Sequence, residues 1–327
     1  LHGGVLFVHL EKAPELIKRI IEVSSTAAHL TTRHRQLVLQ RDGETIASAP
    51  IEDLGAVIVD HPGTTYSHAA ISGLLEAQTV LIVCGRNHLP LGLLLPLSEH
   101  TEVGSRLRCQ IAASLPLKKR LWKQLVQAKI QAQAQNLRPD SAEQRKLLQF
   151  ASEVKSGDST NREAQAAKVY WSAWLTATDE TNGETAFRRQ REGDSPNSLL
   201  NYGYAILRAC IARALVSAGL VPALGLQHSN RSNSFSLADD LIEPLRPLVD
   251  ETVRDLYWSG QTELDRTTKA ALLELTTVEV SVGDLSGPLM VSLHRYVGSL
   301  VRCLQGHSKR LEIPVTCRSR ATAVCGS

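Results

Sequence analysis

The sequence predicts an α+β protein, in which a small N-terminal β-rich domain over residues 16–98 precedes an all-α domain over residues 99–305. Two observations carry this. Over residues 16–97 the apolar positions recur mostly every second residue, with β-branched runs and turn residues between them. From about Glu99 the period becomes helical, with cap residues at the ends of long apolar stripes. A length of 327 residues suits two such domains. Residues 1–15 are set aside as an extension or mis-set start, and residues 306–327 read as a loose basic tail.

In order, IKRIIEV reads as a strand, and RQLVLQ-RDG-ETIASAPI reads as a hairpin turning at Asp42 and Gly43. The apolar runs AVIVD (56–60) and TVLIVCG (79–85) suit strands covered on both faces, and TYSHAAISGLLEAQ between them suits a helix. This domain has no glycine fingerprint and no clustered acids, so it reads as a scaffold or dimerisation unit. EVGSRLRCQIAAS predicts a helix stopped by Pro116, and residues 116–135 a long one. SAEQRKLLQFASEV follows, capped by Ser141, and then a helix over 159–177. The polar stretch 178–195 has no hydrophobic period. SPNSLLNYGYAILRACIARALVSAG is the strongest helix, with Pro196 at its start and Gly219 past its end. Helices over about 262–276 and 286–305 complete the domain.

A net charge of +3 announces no polyanion partner by itself. Cys84, Cys109, Cys210, Cys303, Cys317 and Cys325 form no CxxC pair, which argues against a zinc or disulfide framework and for reduced thiols in a cytoplasmic protein. No apolar run reaches the roughly 20 residues that span a bilayer, so no membrane partner is expected.

The chemistry concentrates in HSNRSNSFSLADDLIEPLRPLVD (228–250). His228 leads a polar loop. Ser236 is expected to open a helix as a capping box with Asp239, and a fresh helical segment is expected at Pro244. Asp239, Asp240 and Glu243 lie within two turns of one another, and Glu243 interrupts the apolar stripe just before the proline. Glu163 sits in the first turn of its helix, where compensation of the helix dipole would account for it. Ala167, Tyr170 and Trp174 continue its face, however, so it borders a packed surface. His228 has a comparably plain reading as a loop-capping imidazole. Two carboxylates and an imidazole nevertheless suit Mg²⁺ or Mn²⁺, the nitrogen favouring Mn²⁺. Such a set leaves coordination positions for water and a phosphate oxygen, with Asp240 and Asn230 as supporting residues. Lys118, Lys119, Lys123 and Lys129 crowd one helix around Trp122, and Arg188, Arg189 and Arg231 lie in polar loops. A lysine-rich helix is usually a solvated face. Beside a cation site, the same residues suit DNA phosphates.

The stretches NREAQAAKVYW, NSLLNYGYAILRACI and LVPALGLQHSNRSNSFSLADDLIEPLRPLVD resemble the CRISPR-associated spacer-acquisition integrases, the first of the numbered Cas proteins, in a type II-like version. GAVIVDHPGTTYSHAAISGLLE and LKKRLWKQLVQAKI agree. The resemblance implies a β-rich N-terminal domain and a helical catalytic domain that binds metal and DNA. It carries the metal ligands onto Glu163, His228 and Glu243. It further implies a homodimer, assembled with the second Cas protein as a bridging dimer, in which the 3′-hydroxyl of a captured double-stranded DNA fragment attacks a phosphodiester of the repeat array. Two other readings stay open on the residues alone. One is a stand-alone structure-specific nuclease or mobile-element integrase of the same fold, and the other is a non-catalytic DNA-binding scaffold whose acids merely cap helices.

Overall fold

The computed structural model describes residues 5–7, 18–24, 26–97, 101–175, 187–190, 193–228, 230 and 232–316. Strands β1 (Val5–Phe7), β2 (Arg19–Val23), β3 (His29–Arg33), β4 (Gln36–Arg41), β5 (Glu44–Pro50), β6 (Leu54–Val59) and β7 (Thr65–Tyr66) precede helix α1 (His68–Glu76), and β8 (Val80–Cys84) and β9 (Pro90–Leu94) follow it. They form two sheets, ordered β1-β2-β6-β8-β9 and β5-β4-β3-β7. The β4–β5 hairpin turns where expected, with Asp42 at φ 51° and Gly43 at φ 82°, the left-handed pair that a two-residue turn requires.

Strands β2, β6 and β8 of the first sheet are covered on both faces, which explains the continuous apolar runs of β6 and β8, while β9 is largely exposed. Ile21, Val23, Val57, Val59 and Leu81 pack against the second sheet and α1. The alternate residues Ile20, Ala56, Ile58, Val80 and Ile82 join the core of the helical region. Glu22 and Asp60 follow the parity of Ile20 and Ile58, so the strand period turns two acids toward the helices.

The helical region comprises α2 (Val103–Ile111), α3 (Leu115–Gln135), α4 (Ala142–Glu153), α5 (Arg162–Ala173), α6 (Asn197–Ser217), α7 (Ser236–Ile242), α8 (Arg246–Trp258), α9 (Arg266–Glu274) and α10 (Leu289–Leu304). The expected α+β arrangement holds. By length and composition α6 could cross a membrane, with a mean hydropathy of 1.3 over its most apolar window, contrary to the sequence expectation. Yet 78% of that window is buried inside the protein, so α6 is the central core helix.

Four local expectations are corrected. Pro116 does not stop α2, which ends at Ile111; Ser114 caps α3 by accepting the Leu117 N–H, and Pro116 sits in the first turn of α3. Ser236 is not a capping residue, because its hydroxyl donates to the Asn233 carbonyl at 3.1 Å and Phe235 precedes α7. The fresh segment expected at Pro244 is a 3₁₀ turn, Glu243–Leu245, with the proline in its first positions, and the α-helix itself begins only at Arg246. Finally, a hairpin of β10 (Glu279–Val282) and β11 (Leu285–Pro288) precedes α10, and residues 306–316 are not loose. Leu311 is buried, and β12 (Val315–Thr316) pairs with β10.

Candidate metal centre

Three helices build the site. The 3₁₀ turn after α7 presents Glu243, which is 5% exposed, and the first turn of α5 presents Glu163. Asp158 sets that turn by accepting the N–H groups of Arg162 at 2.8 Å and Glu163 at 3.0 Å. This is the capping role a carboxylate fills at a helix start. From α3, Lys129 reaches between the two glutamates: its Nζ lies 2.6 Å from Glu163 Oε1 and 2.5 Å from Glu243 Oε2. Arg246 approaches the other Glu243 oxygen, with Nε 3.0 Å from Oε1, and stacks on the Tyr204 ring.

The charges are mutually set. Burial alone would lift the Glu243 pKa, but the Arg246 and Lys129 cations outweigh it and hold the carboxyl below the usual range. Burial alone would lower Lys129, and the Glu243 and Glu163 carboxylates reverse this, holding the ammonium above its ordinary value.

His228 stands beside this group on the loop before α7. Its Nδ1 lies 2.6 Å from Asp240 Oδ1, and its ring meets Trp122 of α3 edge-on at 5.7 Å. Asp240 is fully buried and also accepts the backbone N–H groups of Leu226 at 2.6 Å, Gln227 at 3.1 Å and His228 at 3.2 Å. Gly225 permits this wrap, since a Cβ there would strike the His228 carbonyl oxygen and lie 3.0 Å from Asp240 Oδ2. The hydrogen bond to Asp240 is the main cause of a raised His228 pKa, and Glu243 contributes through space.

Glu163 and Glu243 therefore share one pocket around one cation, and His228 lies within electrostatic reach of Glu243. Among the described residues, however, no three of the His, Cys, Asp and Glu side chains converge as a metal cluster. The position between the carboxylates belongs to Lys129, which corrects its expected place on a DNA-facing surface. Sequence reading also missed Arg246 and Asp158. Lys129 gave a signal: Trp122, Leu125, Val126 and Gln133, at seven, four and three positions before it and four after, are all buried. A lysine on that face interrupts a packed stripe.

The other expected residues divide. Asn230 is exposed and accepts from the Ser232 N–H at 3.1 Å and the Ser232 hydroxyl at 3.0 Å, so it shapes the loop rather than supporting His228. Lys119 is exposed, and Lys118 and Lys123 are half-buried on α3; Arg188 is exposed. Arg189 is turned inward, donating to Asn197 at 2.9 Å and Asn201 at 2.5 Å and stacking on Tyr204, so its guanidinium is committed to the fold. Arg231 lies outside the described residues, as do most of loop 178–195, residues 1–4 and 8–17, and the tail beyond Thr316.

Asp240→Asn is expected to destabilise the protein by about 2–3 kcal/mol, because an amide cannot accept four donors and leaves buried N–H groups unmatched. A folded-state histidine pKa above its unfolded value contributes stability that is present at low pH and lost as pH rises through the folded pKa. The penalty should therefore shrink, without vanishing, as pH rises past the His228 pKa. Urea unfolding across pH checks this; a pH-independent penalty would refute the His228–Asp240 coupling.

The family model described as CRISPR associated protein Cas1 matches residues 21–278. The chain is 36% identical over 290 residues to the CRISPR-associated endonuclease Cas1 of Neisseria meningitidis serogroup C (strain 8013), covering 87% of this chain and 92% of that protein. Its fold is similar to that of a casposase bound to integration product, with a TM-score of 0.74 and 18% identity over 95% of this chain and 99% of that one. It is also similar to a chain of a Cas6-RT-Cas1–Cas2 complex, with a TM-score of 0.72 and 20% identity over 93% of this chain and 37% of that one.

Proposed function

The chain belongs to the Cas1 family, and from that premise we propose that it is a Mg²⁺- or Mn²⁺-dependent DNA integrase with endonuclease activity, inserting captured fragments into a CRISPR repeat array. The observation that carries the reading is the pairing of Glu163 and Glu243 on a single cation beside the His228–Asp240 pair. Their donor chemistry fits a hard divalent ion: carboxylate oxygens with an imidazole, and a buried Glu243 Oε2 that meets the ammonium without a well-aligned hydrogen bond. Glu163, Glu243 and His228 would hold the ion. Such an ion polarises the phosphoryl group and lowers the pKa of the attacking hydroxyl.

The remaining work falls to the chain's own residues. Asp240 holds His228 Nδ1, which fixes the ring and leaves Nε2 as the nitrogen available for coordination. Arg246 keeps Glu243 ionised. Lys118, Lys119, Lys123 and Arg188 supply positive charge for the DNA backbone without reading sequence. The working unit in this reading is a homodimer joined to the second Cas protein, in keeping with the named Cas1–Cas2 assembly of the fold relative. The casposase likeness favours a second reading with the same chemistry, integration for a mobile element.

The test is strand transfer of a labelled duplex into a repeat-bearing target, with and without the second Cas protein, over a divalent-ion titration. Product is expected only with Mg²⁺ or Mn²⁺ and only with the partner present. Product after exhaustive chelation would refute metal dependence, and product without the partner or a repeat would favour the mobile-element reading.

A further inference from the structure

Two carboxylates held together inside a protein repel each other, and one would take up a proton unless a cation lay between them. In this chain that cation is internal. The Lys129 ammonium contacts Glu163 at 2.6 Å and Glu243 at 2.5 Å, and its side chain is only 12% exposed. Arg246 cannot substitute for it, since its guanidinium is on the opposite Glu243 oxygen and stacked on Tyr204.

We propose that Lys129 is a resident counter-ion at the metal position: its ammonium keeps the Glu163–Glu243 pair assembled in the metal-free protein, and an incoming divalent ion displaces it. The inference rests on the metal reading above and deepens it. Lysine suits the role better than arginine would. Its charge is a single point on a flexible stem, so it can withdraw, whereas a guanidinium fork would lock both carboxylates. On Glu243 Oε2, buried at the centre of the site, the ammonium stands 2.5 Å away, the position a metal ion would need. A divalent ion offers the same two oxygens twice the charge. Metal loading is then an exchange of cations in a pocket that is never left with two bare carboxylates. It costs some metal affinity and keeps the helix starts of α5 and α8 in register before metal arrives.

The test is Lys129→Met in the 327-residue chain, with free Mn²⁺ followed by electron paramagnetic resonance in the absence of DNA. The variant is expected to bind Mn²⁺ about tenfold more tightly or better, since binding no longer breaks a charge-assisted contact. Its metal-free melting temperature should fall and recover further with Mn²⁺ than that of the unmodified protein. Unchanged or weaker Mn²⁺ affinity overturns the exchange. A second measurement does not depend on the variant folding. In the unmodified chain labelled with ¹⁵N-lysine, the side-chain ammonium signal protected from water is expected to disappear or shift at saturating Mg²⁺; its persistence overturns the proposal. Mn²⁺ binding that survives Glu243→Gln would refute the metal reading itself, and the exchange with it.

Discussion

Glu243→Gln is expected to abolish metal-dependent strand transfer, lowering its single-turnover rate by about 10³-fold or more, while duplex binding is retained. The substitution keeps the volume of the side chain and removes its charge. Lys129 and Arg246, both packed on Glu243, then lose their shared counter-charge at a buried position, and Lys129 keeps only Glu163. Two cations around a neutral amide, with Glu163 left on only one of them, disfavour the entry of a third. Raising Mn²⁺ therefore should not rescue the variant. Glu163→Gln is expected to be milder, because the Glu163 side chain is 27% exposed and water can replace part of its coordination. High Mn²⁺ should recover part of its activity. The comparison needs only labelled DNA, a rapid quench and a binding isotherm. A Glu243→Gln enzyme within about tenfold of the unmodified rate would remove Glu243 from the centre of the chemistry.

What the sequence made legible follows from the range of the interactions involved. The hairpin at Asp42 and Gly43, the cap at Ser141 and the long helices α3 and α6 are written in neighbouring residues, through turn chemistry and apolar period. Glu243 was legible for the same reason, as an acid that breaks an apolar stripe ahead of a proline. Lys129 was not. Its meaning depends on Glu163 and Glu243, which are distant in the chain, and a lysine in a basic helix looks solvated until the fold places acids against it. Arg189 failed in the same way, since Asn197, Asn201 and Tyr204 claim a guanidinium that composition had offered to DNA. The β10–β11 hairpin, by contrast, carried a local signal in the alternation of EVSV and the left-handed Gly283 (φ 61°), which the pull of the following helical period obscured.

Along the chain, the strands of the N-terminal region show no cluster of acids. Folded, they do: Glu22 and Asp60 are both buried on the face toward the helices, where Lys269 of α9 meets them with Nζ 3.1 Å from Glu22 Oε1 and 2.5 Å from Asp60 Oδ2. The Lys269 side chain is 5% exposed, so the triad ties the sheet to the helical region without water to share the charge. Burial would lower the Lys269 pKa, and Glu22 and Asp60 together hold it above the ordinary value. Lys269→Met is expected to destabilise the protein by about 3–5 kcal/mol at neutral pH, the usual cost of stranding a buried charge. The loss should shrink on acidification. Burial already raises the Glu22 pKa, and removing the ammonium raises it further. An acid whose folded pKa lies above its unfolded value destabilises the fold above that window and ceases to do so as pH falls through it. Replacing Glu22, Asp60 and Lys269 together by apolar residues of similar volume should recover most of the loss, because no charge is then left stranded. Urea unfolding of the single and triple variants at neutral and mildly acidic pH decides the matter. A single variant that loses under about 1 kcal/mol, or loses it equally at both pH values, would mean the triad is solvated and does not bind the two regions together.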